Sequence, residues 1–266
     1  MVHGLYKFTV HVTVPALIQR RRLTIHHNFE DFPPSPLRDR LLDATDLVPL
    51  IAAYVLSAPQ ATFNYVFDKY FLPQHYNAVT AILQNLQNEQ KWENILISGT
   101  DDYNLCIDGR KGYVANVIQD GCFLESFLHI CHTGNANGYE YPSIRDLRCS
   151  MLGSDLRVSY RMLTFEGWVV LHEFMHMNEI TAAEVAPFNP PKGFVEDVIY
   201  GQKSVRNLRN GPDAYKAIYN ADSLALFVVE LYFTKLCKPY LQQHGLVYFR
   251  DPVDDSQQAF HPPGTP

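Results

Sequence analysis

The spacing of apolar residues divides the chain into helical and extended regions. Between residues 41 and 90, apolar positions recur every three or four residues, the period of helices that bury one face. From about residue 92 to residue 131 they form short runs separated by glycine and aspartate turns, which predicts strands. The strand-like segments are WENILIS, YNLCID, GYVANVIQ and ESFLHICH.

The second half of the chain returns to a helical pattern. The segment MLTFEGWVVLHEFMHMNEI predicts one long apolar helix. GPDAYKAIYN and ADSLALFVVELYFTKL predict two more, and Pro212 lies where proline suits the first turn of a helix. Helices, then a small twisted sheet, then helices indicate an α+β fold rather than an alternation of strands and helices.

The length of the chain favours one catalytic domain with additional elements. The chain has 266 residues and 47% hydrophobic content, enough for a sizeable core. We predict that residues 1–90 form an N-terminal strand and helical region packed on the catalytic domain. Residues 91–240 are the predicted catalytic domain, and residues 241–266 are a polar, proline-rich tail.

Charge and hydropathy exclude several classes of partner. The net charge of −6 argues against a nucleic-acid partner. No run of about eighteen apolar residues occurs, so we expect no membrane partner. The N-terminal segment makes a poor signal peptide because Lys7, His11 and Pro15 interrupt its apolar stretch. We therefore expect an intracellular protein, or a secreted one whose signal has been removed.

The five cysteines do not form a recognisable framework. Because their number is odd, at least one thiol is unpaired, and no CxxC spacing occurs that would indicate a structural zinc knuckle. One or two disulfides are compatible with an oxidising compartment. The cysteines are Cys106, Cys122, Cys131, Cys149 and Cys237.

The segment LHEFMHM carries the strongest chemical signal. On a helix, His172 and His176 lie four residues apart on one face and can point both imidazoles at one ion. Glu173 can then reach a metal-bound water without ligating the metal. The alternative is a core helix with two hydrogen-bonded histidines, but burying them without partners would cost several kcal/mol. We favour the metal site.

A catalytic zinc needs a third protein ligand and an open position. Glu179 lies on the same helix as the histidines and cannot easily close a tetrahedral site. The loop PPKGFVEDVIYGQ is a better source because it can fold back over the helix. The acidic candidates after the histidine pair are Glu179, Glu184, Glu196, Asp197, Asp213 and Asp222.

Three motifs in order resemble one known family. HEFMH, the segment from Asp197 to Gly201, and YNADSLALF are similar to motifs of the aspzincins, the deuterolysin and peptidyl-Lys metalloendopeptidase group of fungal and bacterial zinc endopeptidases. The resemblance covers roughly residues 95–237. It implies a zincin-like metallopeptidase fold in which His172, His176 and Asp197 bind zinc.

The resemblance also assigns roles to residues that do not bind the metal. It implies that Glu173 is the general base and that Tyr200 donates its phenol to the oxyanion, a contribution of a few kcal/mol in a water-poor cleft. Asp222 takes the place of an acid that lines a pocket for a basic side chain. The alternative for Asp222 is a helix N-terminal residue, with Asn220 as the cap.

The sequence departs from the family pattern at two points. The family's Gly-Thr pair is replaced by GFVED, in which the glycine is one residue further from the aspartate and no threonine occurs. Glu196 therefore stands beside Asp197, and the Asp-x-x-Tyr-Gly register favours Asp197 as the ligand. The second acid of the basic pocket is replaced by Ala225. The resemblance further implies that the ESFLHICH segment is an edge strand for extended substrate. It also implies a disulfide between Cys106 and Cys131.

Two functions are compatible with these residues. The first is a zinc-dependent metalloendopeptidase or amide hydrolase, in which Glu173 activates a metal-bound water to attack a peptide or small amide. The alternative is an intracellular zincin-fold tailoring enzyme that uses the metal as a Lewis acid on a small molecule of secondary metabolism. A non-catalytic zinc-binding protein is less favoured because it would need neither Glu173 nor Tyr200.

Overall fold

A computed structural model describes the chain over residues 47–91, 95–98, 113–119, 123–129, 149 and 166–249. Several sequence predictions lie outside the described residues: the N-terminal strand, the strand YNLCID, the C-terminal tail beyond residue 249, and the pairing of Cys106 with Cys131. The division into three regions stays a prediction.

The helical pattern predicted for residues 41–90 corresponds to three helices. They are α1 over residues 47–56, α2 Gln60–Tyr70 and α3 Tyr76–Gln87. Proline residues separate these helices, because the residue before a proline is restricted to extended backbone. Leu72 therefore adopts φ −81° and ψ 153°, and Pro73 opens a short 3-10 turn that leads into α3.

Three strands follow: β1 Ile95–Ser98, β2 Tyr113–Gln119 and β3 Phe123–His129. Their order in the sheet is β1-β3-β2, with β1 parallel and β2 antiparallel to β3. The expectation that the ESFLHICH segment provides a substrate-binding edge is therefore wrong. Within the described sheet β3 is the central strand, and its backbone pairs with neighbours on both sides.

The remaining elements are helical. Helix α7 covers the whole segment that the apolar pattern predicted, but GPDAYKAIYN forms a 3-10 helix, Ala214–Tyr219, in place of an α-helix. The α-helices are α4 Glu166–Met175, α5 Asn178–Val185, α6 Gln202–Asn210, α7 Ala221–Leu236 and α8 Lys238–Gln243.

The single long helix predicted through the histidine pair is in fact two helices. The amides of His176 and Met177 bond the carbonyls three residues back at 3.1 Å, which tightens and ends α4. Met177 is extended (φ −76°, ψ 127°), and its carbonyl accepts the amides of Ile180 and Thr181 at the start of α5. The apolar pattern continues across the break because both helices bury their apolar residues.

Helix α7 lies at the centre of the core. Every residue from Ala221 to Thr234 is buried, and both α2 and α4 pack against this helix. Phe63, Phe67 and Phe71 surround Phe227 edge-on, with ring centroids 5.4, 6.1 and 5.5 Å away. The N-terminal helices therefore share one core with the helices that follow the sheet. Among the described helices, none combines the length and apolarity needed to cross a membrane.

One carboxylate is buried inside this helical core. The Glu230 side chain is fully buried, and its charge is balanced by Lys69 at 2.8 Å and by Arg206. Tyr70 and Gln202 donate hydrogen bonds to it at 2.6 and 3.0 Å. Burial raises the pKa of Glu230, but the two cations and the hydrogen bonds outweigh burial and lower that pKa to about 2. The network joins α2 and α6 to α7.

A disulfide lies at the C-terminal end of α7. Cys149 and Cys237 are bonded, both are buried, and 88 residues separate them in sequence. Residue 149 comes before α4, so the bond connects the chain ahead of the histidine helix to the residue after α7. This pairing was among the possibilities that the cysteine count allowed.

We expect the Cys149–Cys237 disulfide to stabilise the fold. A cross-link that closes a loop of this length restricts the unfolded chain, and its loss typically costs about 2–5 kcal/mol. The double variant Cys149→Ser/Cys237→Ser should unfold at a lower denaturant concentration than the parent. Added reductant should lower the midpoint of the parent by more than that of the variant. Equal sensitivity of both proteins to reductant would contradict the prediction.

His75 should make stability depend on pH. It is fully buried against the ring of Phe188, and burial, aided by the charge of Arg209, lowers its pKa from 6.5 to about 4. The unfolded chain therefore binds a proton at a higher pH than the folded chain. The stabilising contribution is complete above pH 6.5 and is lost as the pH falls toward 4.

Denaturant midpoints of the parent should therefore decrease between pH 7 and pH 4. His75→Gln removes the titrating group, so its midpoint should change less across this range. His244→Gln, at an exposed histidine, is the matched control and should follow the parent. If His75→Gln keeps the full pH dependence, another group is responsible.

Candidate metal centre

Helix α4 brings the two histidines together at its C-terminal end. His172 lies in the last turn, and His176 lies in the tight turn that follows Met175. Their Nε2 atoms are 3.4 Å apart, so a single ion can contact both nitrogens. The helical spacing predicted this convergence, and the break after His176 does not disturb it.

Asp197 completes the cluster from the loop between α5 and α6. Its Oδ1 lies 3.1 Å from Nε2 of His172 and 3.3 Å from Nε2 of His176. The three atoms form a nearly equilateral triangle and are the metal-competent group within the described residues. The Asp197 side chain remains 28% exposed, so the cluster is open to solvent on that side.

The dimensions of the triangle fit a tetrahedral zinc ion. Zinc binds histidine nitrogen and carboxylate oxygen at about 2.0–2.2 Å, so tetrahedral angles separate neighbouring ligand atoms by roughly 3.3–3.5 Å. The observed separations of 3.1, 3.3 and 3.4 Å lie close to these values. The donor set of two imidazoles and one carboxylate is also one that zinc accepts in catalytic sites.

Each histidine ring has a hydrogen-bond acceptor next to its Nδ1 atom. An acceptor there favours the proton on Nδ1, which leaves the Nε2 lone pair free for a metal. Nδ1 of His176 lies 3.0 Å from the carbonyl of Val195, which can only accept, so this nitrogen carries the proton. Nδ1 of His172 lies 2.9 Å from Oδ1 of Asp222. The ring N–H of His172 is not well aligned on that oxygen, although neither atom has another hydrogen-bond partner in the described part of the chain.

The electrostatic field at the cluster favours a cation. Burial lowers the pKa of both histidines, but hydrogen bonds to Asp197 and its charge outweigh burial and raise both pKa values. Asp222 adds to the effect at His172. The two histidines in turn hold the pKa of Asp197 well below its usual range against the effect of burial. Positive charge at this point is therefore strongly stabilised.

Main-chain contacts decide which of the two neighbouring acids reaches the histidines. Glu196 forms a short bridge to the residues around the start of α7: its amide donates to the carbonyl of Tyr219 at 2.9 Å, and its carbonyl accepts the amide of Ala221 at 3.0 Å. The Glu196 side chain pairs with Lys192 at 2.9 Å. Asp197, one residue later, faces the cluster.

Asn220 holds the next part of the loop. Its Oδ1 accepts the amides of Val198 and Ile199 at 2.9 and 3.1 Å, and its Nδ2 donates to Ser223 at 2.8 Å. Asn220 does occupy the N-cap position of α7, but its side-chain oxygen makes no cap hydrogen bond. Asn220 is therefore the N-cap residue, as the sequence indicated, but without a cap hydrogen bond from its side chain. It anchors the loop that carries Asp197 and Tyr200.

Asp222 is enclosed. It is 2% exposed, and its Oδ2 accepts the amide of Gly201 at 2.7 Å. Gly201 has φ 89°, a backbone conformation that favours glycine, and this turn directs its amide at Asp222. Ala225, one turn further along α7, is fully buried. The substrate-binding role of Asp222 stays a prediction, and both of its oxygens already face partners inside the protein.

Glu173 and Tyr200 border the cluster. The Tyr200 ring lies 6.1 Å from the His172 ring and is nearly parallel to it. Burial raises the pKa of Tyr200, and the charge and hydrogen bond of Asp197 raise it further, so the phenol stays protonated and can donate. The charge of Glu173 also raises the pKa of Tyr200 and of His176, and Glu173 is the residue next to His172 on α4.

The other acids proposed as third ligands have partners elsewhere. Glu184 accepts a hydrogen bond from Asn85 at 3.2 Å, between α5 and α3. Asp213 pairs with Lys216 at 3.2 Å. Sequence reasoning missed the Val195 carbonyl, because any residue can present one. It also missed the anchoring role of Asn220, although the segment YNADS marked the right place.

Comparisons with known proteins give little beyond this geometry. No family model matches the chain, and no curated protein matches it. Among solved structures, the chain is similar to a zinc peptidase from Grifola frondosa, with a TM-score of 0.40 and 16% sequence identity. The match covers 74% of this chain and 97% of that chain. The assignment of function therefore depends on the residues of the site.

The protein should bind one divalent ion per chain through Asp197 and the histidine pair. Asp197→Asn should abolish or strongly weaken binding, because it removes an anionic ligand from the triangle. The matched control is Glu196→Gln, which makes the same chemical change one residue away and should retain the ion. Elemental analysis of both purified variants tests this. Loss of metal in Glu196→Gln alone would show that the ligand is the neighbouring acid.

Proposed function

We propose that the protein is a zinc-dependent hydrolase of peptide or other amide bonds, with a zincin-like fold of the aspzincin type. The observation that carries this proposal is the triangle of Nε2, Nε2 and Oδ1 atoms. Its edges match tetrahedral zinc, and an acceptor lies behind each ring. The resemblance of the three sequence motifs to the aspzincins supports the same conclusion.

The proposed ligands are His172, His176 and Asp197, with a fourth position on the exposed side for water and substrate. When bound, a zinc ion supplies a Lewis acid that acidifies water and polarises a carbonyl. The protein has to hold these ligands with their lone pairs inward. The Val195 carbonyl does this for His176, and Asp222 does it for His172.

Glu173 is the proposed general base. Its carboxylate accepts a proton from the attacking water as the oxygen bonds the acyl carbon, and it then returns the proton to the leaving nitrogen. The hydroxyl of the water thus ends on the acyl product, and the proton carried by Glu173 ends on the amine. Glu173 follows His172 on α4, so the same helix sets the ligand and the base.

Tyr200 is the proposed oxyanion donor. Its raised pKa keeps the phenol protonated at neutral pH, and its ring lies close to the cluster. A phenol directed at the developing negative charge contributes more in the transition state than in the ground state. The hydrogen bonds from Val198, Ile199 and Gly201 to the start of α7 hold the loop on which it lies.

One observation favours the small-molecule alternative. In the aspzincin pattern two acids receive a basic side chain, but here Asp222 is enclosed and Ala225 is buried. A pocket for lysine is therefore not built from these positions, and a tailoring enzyme would need none. A peptide library assay with and without chelator separates the two functions. Metal-bearing protein that leaves every peptide intact would favour the small-molecule reaction.

Glu173→Gln should remove activity and leave the metal in place. The amide keeps the shape of the side chain but cannot take the proton, and losses of about 10²–10⁴-fold in kcat are typical for a general base. Peptide cleavage and zinc content should be measured on the same preparation. Glu184→Gln, on α5, is the matched control and should resemble the parent. Unchanged turnover in Glu173→Gln would exclude this mechanism.

A further inference from the structure

We infer that Asp222 is a positioning residue that fixes the ring of His172 and the Tyr200 loop at the same time. This role differs from the substrate contact expected from its sequence motif. The inference depends on the proposed function, because positioning His172 matters only if that ring binds a metal. It concerns one carboxylate that joins the histidine helix, the ligand loop and helix α7.

The two oxygens of Asp222 serve different elements. Oδ1 faces Nδ1 of His172 on α4 at 2.9 Å, and Oδ2 accepts the amide of Gly201 at 2.7 Å. Only 2% of the residue is exposed, so little of it can meet a substrate. In the described part of the chain, Asp222 is the group that faces Nδ1 of His172. The contact therefore decides which nitrogen of that ring carries the proton.

The chemistry of the two contacts requires a carboxylate. Both partners are N–H groups when His172 presents its Nε2 lone pair to a metal, so the residue between them must accept twice. A carboxylate can do this. An amide has one accepting oxygen and one donating NH₂ group, so it cannot satisfy both partners in the same geometry.

This asymmetry gives Asp222→Asn a specific defect. If the amide oxygen keeps the Gly201 hydrogen bond, the NH₂ group faces Nδ1 of His172. The ring is then favoured with its proton on Nε2, the atom that should bind the metal. If the amide turns the other way, the Gly201 hydrogen bond is lost and the Tyr200 loop is released. Either arrangement weakens the site, although the variant differs little from the parent in size.

The position of Asp222 on α7 supports a positioning role. This helix is buried along fourteen residues, from Ala221 to Thr234, and the Glu230 network fixes it to α2 and α6. A carboxylate on a rigid buried helix suits the orientation of a ligand. The next position on the same face, Ala225, offers no second acid for a substrate cation.

The test compares Asp222→Asn with Asp213→Asn. The control makes the same change at an exposed acid shortly before α7, where the carboxylate pairs with Lys216. Zinc dissociation constants are measured by competition with a chromophoric chelator, and cobalt(II) spectra report the ligand geometry. Thermal melting of the metal-free proteins shows whether each variant is folded. kcat and KM are then measured on peptides with lysine and with leucine at the cleavage site.

We expect Asp222→Asn to bind zinc 10–100-fold more weakly than the parent, with an altered cobalt spectrum. At saturating zinc, kcat should fall for lysine and leucine peptides alike, and the ratio of their KM values should not change. Asp213→Asn should match the parent in each measurement. Asp222→Ala, which leaves the Gly201 amide without an acceptor, should also weaken zinc binding and should lower the melting temperature.

Two results would overturn the inference. The first is a folded Asp222→Asn protein with the zinc affinity and cobalt spectrum of the parent. The second is an increase in KM confined to lysine peptides with zinc affinity unchanged, which would identify Asp222 as a substrate contact. A parent protein that binds no zinc would overturn the proposed function itself, and with it the basis of this inference.

Discussion

The buried charge of Glu230 is the constraint around which this structure is arranged. Helix α7 passes through the core without a solvent-facing side from Ala221 to Thr234, so a carboxylate on it must be neutralised by neighbouring helices. Lys69 of α2 and Arg206 of α6 provide that charge. Removing one partner of such a buried pair typically costs about 3–5 kcal/mol. The positions of α2 and α6 relative to α7 are therefore fixed by electrostatics as well as by apolar packing.

Helix α7 in turn organises the metal centre from its N-terminal end. Asn220 and Asp222 accept three amides of the loop that carries Asp197 and Tyr200, and Asp222 also reaches His172 on α4. The opposite end of the helix is followed by Cys237, which is bonded to Cys149. Helix α7 therefore belongs both to the hydrophobic core and to the metal centre. Substitutions that shift α7 should act on the site even when they lie far from it.

The sequence was sufficient for the parts of the site that depend on local geometry. Helical periodicity places His172 and His176 on one face, and the 3.4 Å separation of their Nε2 atoms agrees with it. The break between α4 and α5 was missed because both helices bury apolar residues, so the pattern of apolar positions continues across it. The motif register favoured Asp197 over Glu196, but the physical reason is tertiary: the backbone of Glu196 bridges to Tyr219 and Ala221. The enclosure of Asp222 could not be read from its motif, since it depends on how the Gly201 turn folds onto α7.

The break between α4 and α5 has a further electrostatic consequence. Because α4 ends at Met175, the partial negative charge of its terminal carbonyls lies next to the histidine pair and favours a cation there. Asp222 lies in the first turn of α7, next to the partial positive charge of the helix dipole. Two helix ends of opposite polarity therefore meet at this centre, one beside the proposed ion and one beside the carboxylate that orients its ligand. One uninterrupted helix from Glu166 to Val185 would have moved the first of these charges more than two turns beyond His176.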